Sequence, residues 1–233
     1  MQALIGKLHA NSGENLAAAV YAEMKRNIIN WSLQPGTKMS ESRIAQHFQV
    51  SRTPVREAFK QLVLEGLLEI QPQRGTYVTR VNLEQMRQGR FVRASLERAL
   101  IPLLIETQAL LLREAALREN ISQQRACLEQ NDFDGFFALD EAFHNSLFDA
   151  CGQYYAKQIA NRAHLDYLRV RIICMKRVSN PLLLCDQHQR VLEAILANDR
   201  ERAEAELTAH LDKVKQDLEL VRAHFPESFI QGE

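Results

Sequence analysis

Residues 35–78 read PGTKMSESRIAQHFQVSRTPVREAFKQLVLEGLLEIQPQRGTYV. SESRIAQHF predicts a short helix with Ser40 as its N-cap, and QVS interrupts the pattern. RTPVREAFKQLVLEGLL then predicts a second helix, with Thr53 as cap and Pro54 at the first helical position. Its apolar positions are Val55, Phe59, Leu62 and Val63, and Gly66 is a candidate C-cap. The period then changes: LLEIQ and TYVTRV are strand-like runs around the turn PQRG, with Pro72 tolerable at a strand edge. Upstream, Leu16, Val20, Met24, Ile28 and Trp31 are spaced as on one face of a helix over 14–31, which Pro35-Gly36 cannot continue. The order helix, helix, turn, helix, hairpin is that of a winged helix-turn-helix.

In such a unit the N-terminus of the second helix of the pair meets base edges in the major groove. Arg52 and Arg56 are four residues apart and share a face there. Arginine reads guanine by a bidentate bond or clamps a phosphate. Ser51 and Thr53 add hydroxyls beside the free N–H groups of a helix start, a phosphate-binding arrangement. Arg74-Gly75 puts a cation beside a residue that permits close backbone approach to DNA. The alternative is ordinary surface charge, with Glu57 and Lys60 as helix-surface partners.

The remaining chain bounds this reading. The 233 residues are 46% hydrophobic and 25% charged, which excludes a disordered or low-complexity chain. ALIPLLIE at 99–106 is far short of a membrane span, and MQALIGKLHANSG has no signal-peptide core. Cys127, Cys151, Cys174 and Cys185 form no CxxC pair and read as reduced, mostly buried thiols of a cytoplasmic protein. The formal charge is zero, yet residues 1–80 hold ten basic and six acidic groups, and the remainder is correspondingly acidic. A basic module joined to an acidic one suits nucleic-acid contact at one end. From Asn82 onward the pattern predicts helices over 83–109, 111–129, 134–151, 153–177, 181–197 and 200–223, with Ser179 and Asp199 as N-caps. Their one-sided apolar stripes imply an antiparallel helical bundle. The expected fold is mainly α, with domains at 1–80 and 81–233.

LDEAFHNSLFDACG places Asp140 and His144 on one helical face, and His188 and His210 lie on two later helices. A carboxylate and three imidazoles converging inside a bundle suit Zn²⁺, Ni²⁺ or a similar divalent ion, with positions left for solvent or ligand. Chance spacing is the competing explanation, and His9, His47, His164 and His224 have no such partners to name.

The blocks SRTPVREA, LEGLL and RGTYV closely resemble, in order and spacing, the DNA-binding domain of the GntR family of bacterial transcription regulators. The resemblance implies that Arg52 and Arg56 are the main recognition-helix contacts, Thr53 a backbone contact and Arg74-Gly75 the wing in the minor groove. Arg43 would be a phosphate contact, although some members carry Arg one position earlier, where this chain has Ser42. Residues 83–224, with FVRASLERAL and the Asp/His blocks, resemble the FCD effector domain of the FadR subfamily. In its metal-binding branch an Asp and three His hold the ion, at positions matching Asp140, His144, His188 and His210. The acyl-CoA-sensing branch lacks this quartet. Arg93 matches a pocket-facing position and could hold a ligand carboxylate, or could pair with Glu97 on the next turn. QPQRGTYV and FVRASLE further resemble regulators of sugar-acid catabolic operons, the starvation-sensing operon repressor among them.

The expectation is therefore a transcriptional repressor that binds a palindromic DNA operator as a homodimer. A small organic acid bound at the metal would control it. The alternatives are a metal-dependent enzyme on the same Asp/His₃ site and a pure metal sensor. Against the enzyme, the sequence offers no general base beside the quartet, no nucleophile motif and no phosphate loop.

Overall fold

The computed structural model describes residues 15–162, 165–177 and 180–230. The chain divides into two compact units: residues 1–83 together with 222–233, and residues 84–221.

The first unit contains α1 (Leu16–Ile29), α2 (Glu41–Phe48) and α3 (Arg52–Leu64) with a three-stranded sheet. Val20, Met24 and Ile28 of α1 bury against α3, whose inward residues are Val55, Phe59 and Leu62. The strands are β1 (Lys38–Met39), β2 (Leu68–Gln71) and β3 (Gly75–Val78), in the order β1-β3-β2 and antiparallel throughout. β1 is absent from the sequence reading because two residues carry no periodicity.

Helix α3 starts two residues earlier than expected. Ser51, not Thr53, is its N-cap residue, and Pro54 is the third helical residue rather than the first. The first-turn N–H groups have no intrahelical acceptor, so proline loses nothing at either place. At the other end Leu67 N–H donates to Leu62 O at 2.8 Å and Gly66 N–H to Val63 O at 3.0 Å, with Gly66 at φ +74°. This is the glycine-closed helix terminus the sequence suggested. In the hairpin, Pro72 precedes Gln73 at φ +61°, and Arg74 N–H donates to Gln71 O at 3.1 Å, as in a type II turn.

The segment after the last helix also belongs to this unit. Val81 N–H donates to Ser228 O at 2.9 Å, and Ile230 N–H donates to Val81 O at 3.0 Å. Phe225 and Phe229 lie 5.7 and 6.4 Å from the Trp31 ring, centroid to centroid. The expected division at residue 80 assigned this segment to the helical half. Its aromatic side chains instead bury surface on Trp31, which is 6% exposed.

The second unit is built from α4 (Leu83–Thr107), α5 (Glu114–Glu129), α6 (Phe133–Ala150), α7 (Tyr154–Arg162), α8 (Leu165–Arg177), α9 (Pro181–Leu196) and α10 (Arg200–His224), except for Leu83 and the last three residues of α10, which fall in the first. The helix expected over 153–177 is described as α7 and α8 on either side of residues 163–164, which lie outside the described residues, as do Ser179, His9 and His164. Local chemistry sets the helix starts. Asp132 Oδ1 accepts from Gly135 N–H at 2.9 Å, Asn180 Oδ1 from Leu182 N–H at 3.2 Å, and Asp199 Oδ1 from Arg202 N–H at 3.0 Å. Phe136, Phe143 and Leu147 of α6, Val191 and Leu192 of α9, and Leu207 and Leu211 of α10 are buried. Cys174 and Cys185 are buried, and burial pushes their thiols up to about 12 and about 11, while Cys127 and Cys151 are half-buried.

Candidate functional site

Two arrangements carry chemistry, one in each unit. In the first, Arg52 and Arg56 remain more than half exposed, yet both reach one carboxylate. Arg52 Nη2 is 3.3 Å and Arg56 Nε 3.5 Å from Glu41 Oε2, at the first position of α2. The first residue of α2 thus pairs with both arginines of α3. Exposed pairs of this kind are worth at most about 1 kcal/mol, so a phosphate or a base edge can replace the carboxylate. Sequence reasoning missed Glu41, because it lies eleven residues before Arg52 and no local spacing rule connects them. Lys60 does pair with Glu57, at 2.9 Å.

Arg43, Ser51 and Thr53 are exposed, as is Arg74 at the hairpin turn. Tyr77 Oη donates to Arg74 O at 3.2 Å and braces that turn. Gly75 has φ +116°, a backbone conformation that side chains rarely adopt, so the wing needs glycine for its conformation.

In the second unit Asp140 and His144 of α6, His188 of α9 and His210 of α10 are all buried, and one ligating atom from each lies within 4.8 Å of the others. The structure brings together the complete quartet singled out in the sequence. His144 Nε2 and His188 Nε2 lie 3.0 and 3.2 Å from His210 Nε2, and His188 Nε2 is 3.5 Å from Asp140 Oδ1. Asp140 Oδ1 is buried, with no hydrogen-bond donor among the described residues.

The outer ring nitrogens explain which way the imidazoles are protonated. His144 Nδ1 is 2.7 Å from Glu97 Oε2. His188 Nδ1 is 2.9 Å from Gln124 Oε1, whose own amide donates to Asn120 Oδ1 at 2.7 Å and so turns its oxygen toward the histidine. His210 Nδ1 is 3.2 Å from Gln187 Oε1. Each Nδ1 faces an acceptor and therefore carries the hydrogen, which leaves each Nε2 as a lone pair. Burial, outweighing Asp140, lowers His188 to about 3, and burial with the neighbouring His188 lowers His210 well below its ordinary value. Three inward lone pairs and an orphaned carboxylate oxygen share one small space without a proton between them. Neutral imidazoles and an anionic oxygen are the donor set of a divalent ion, so the residues fit one.

Around this centre runs a ring of charge. Glu97 Oε1 accepts from Arg93 Nε at 2.6 Å, Arg93 Nη1 donates to Glu141 Oε1 at 2.7 Å, and Arg171 Nη1 donates to the same oxygen at 2.6 Å. Arg171 Nη2 closes the ring on Asp140 Oδ2. Burial would raise Glu97 and Asp140. At Glu97 the facing His144, which donates its Nδ1–H, and Arg93 outweigh it, and the carboxyl falls to about 2; at Asp140 the lowering comes first from Arg171. Arg93 therefore makes the pair to Glu97 that its spacing offered, and a second pair to Glu141. Gln124, Gln187, Glu141 and Arg171 escaped the sequence reading. Glu141 adjoins Asp140, and the other three carry no spacing signal.

A winged helix-turn-helix with an oriented arginine pair, followed by an all-helical unit with a buried polar centre, defines a DNA-binding transcription regulator. Residues 16–78 match the bacterial regulatory proteins of the gntR family, and residues 90–213 match the FCD domain. The chain belongs to the gntR family and carries an FCD domain. It is 33% identical over 207 residues to the HTH-type transcriptional repressor RspR of Escherichia coli K12, covering 87% of this chain and 89% of that one. It is 29% identical over 201 residues to the HTH-type transcriptional repressor GlaR of the same organism, covering 82% and 90%. The fold is shared with a GntR transcriptional regulator from Rhodococcus sp. RHA1, at TM-score 0.68 and 22% identity over 87% of this chain and 97% of that one. These relatives are regulators, not enzymes, and the enzyme alternative falls with that. Among the described residues no helix is long and apolar enough to cross a membrane.

Proposed function

We propose that the chain is a cytoplasmic transcriptional repressor whose FCD domain holds one divalent ion, Zn²⁺ or Ni²⁺, and whose effector is a small organic acid bound at that ion. The observation that carries the reading is the convergence of Asp140 Oδ1 with the Nε2 atoms of His144, His188 and His210, each imidazole turned by an acceptor behind it. The ion would supply positive charge at a buried centre, which is what a carboxylate needs in order to leave water. Arg93 adds a guanidinium beside the same centre. The repressor sense is supported by the naming of RspR and GlaR.

DNA binding assigns Arg52 and Arg56 to base edges and Arg43, Ser51, Thr53 and the Arg74-Gly75 wing to the backbone and minor groove. A single head of this size buries too little surface for tight specific binding, so two copies read a palindromic operator. An effector changes operator affinity only as far as it binds the DNA-bound and free states differently. Elemental analysis of unchelated protein tests the metal: about one ion per chain is expected, and its loss in His188→Ala/His210→Ala. Equal metal content in the two proteins overturns the site. Operator titrations with metal and small carboxylates added separately test control, and release by metal alone would make the ion itself the signal.

A further inference from the structure

We propose that Glu141 is a built-in competitor for the effector: its carboxylate covers the anion-binding face formed by Arg93 and Arg171, and a ligand carboxylate enters by displacing it. The inference rests on the reading of this centre as a metal and carboxylate site.

Glu141 Oε1 accepts one hydrogen bond from each guanidinium, 2.7 Å from Arg93 Nη1 and 2.6 Å from Arg171 Nη1. A ligand carboxylate would offer the same two cations the same kind of oxygen. The other two carboxylates of the ring are held at the quartet. Glu97 also holds His144 Nδ1, and Asp140 is one of the quartet; both side chains are 0% exposed. Glu141 is 19% exposed, the most open member of the ring, while Arg93 and Arg171 are 3% and 9% exposed. It is therefore the carboxylate that can turn toward water at least cost.

Charge explains why some anion must sit there in every state. Arg93 and Arg171 share an acceptor, and without it two largely buried cations would face each other with only Glu97 and Asp140, both also engaged at the quartet, to offset them. With neutral histidines, the carboxylates of Glu97, Glu141 and Asp140 outnumber the two guanidinium groups by one. A divalent ion reverses the sign to one net positive charge, and a ligand carboxylate that takes the place of Glu141 leaves that balance unchanged. Glu141 then moves to solvent instead of leaving an ion buried. The effector class follows as small carboxylates, bound more weakly than the arginines alone would bind them.

The test uses full-length protein loaded with Co²⁺, whose visible absorption reports ligands at the metal, titrated with malonate. Glu141→Gln and Glu141→Ala remove the competing charge, and half-saturation should fall about tenfold or more, as when a site covered in nine molecules of ten becomes open. Glu141→Asp keeps the charge and should stay near wild type. Imidazole, a neutral metal ligand, should bind all four proteins alike. If malonate binds wild type and the Gln and Ala variants equally, or the variants more weakly, the role of Glu141 is overturned and the carboxylate site stands. If Co²⁺ binds but malonate moves the spectrum of none of them, the carboxylate reading and this inference fall together.

Discussion

Glu97 Oε2 sits 2.7 Å from Nδ1 of His144, on the far side of the imidazole from His210. The carboxylate fixes the tautomer and raises the basicity of Nε2. Glu97→Gln should keep the fold and weaken metal binding by about 10–100-fold, the usual effect of losing such a partner. Competition against a chelator of known affinity measures this. Unchanged affinity would show that His144 is oriented by packing alone.

Acid should destabilise the metal-free protein. His188 is held at about 3 against an ordinary 6.5, and Glu97 at about 2 against 4.5. Below pH 6.5 the unfolded chain takes up a proton at His188 that the folded chain refuses, and below 4.5 another at Glu97. Their contribution is complete above about pH 6.5 and drains away as pH falls, at on the order of 1 kcal/mol per pH unit for each group. Urea unfolding of chelator-treated protein between pH 7.5 and 5 should show midpoints that drop with pH. A flat profile would mean the imidazoles protonate freely in the fold.

Arg56→Ala should lose about 1–3 kcal/mol of operator affinity and relax base preference at one position in each half-site. Glu41→Gln should act in the opposite sense on scrambled DNA. It leaves both arginines but frees them from their shared acceptor and removes a negative charge, so the ratio of operator to scrambled affinity should fall. Fluorescence anisotropy at fixed salt reads both. An Arg56→Ala protein that binds both DNAs as wild type does would remove α3 from base recognition.

Trp31 is the single tryptophan of the chain, so its emission reports on the C-terminal segment packed over it. Removal of residues 225–233 should red-shift that emission and lower the stability of the winged unit. Trp31→Ala should cost about 3–5 kcal/mol, as for a large aromatic cut from a core. An unshifted emission maximum after truncation would show that the segment does not cover the ring.

The winged unit was legible because its signals are local. Helix α3, its glycine-closed end at Gly66 and the hairpin at Pro72 each depend on a few neighbouring residues. β1 was not, since Lys38–Met39 is a strand only by pairing with Thr76 and Tyr77 far along the chain. The quartet stood out through residue type, helical spacing on α6 and resemblance to the FCD family. Which nitrogen of each imidazole faces inward could not be read, because it depends on Glu97, Gln124 and Gln187 from three other places in the chain.

The sequence by itself determined the elements: amphipathic periods, caps and turn residues act over a few positions, and they specify a winged helix-turn-helix followed by helices. Only the tertiary structure decided the partners. Glu41 beneath two arginines, Phe225 and Phe229 on Trp31, and the bonds from Arg93 to Glu141 and from Arg171 to Glu141 and Asp140 are pairs distant in the chain. The buried ones form because packing removes water from both members at once, and a buried charge left without an opposite charge costs several kcal/mol. That constraint acts on groups brought together in space, and spacing along the chain carries no trace of it.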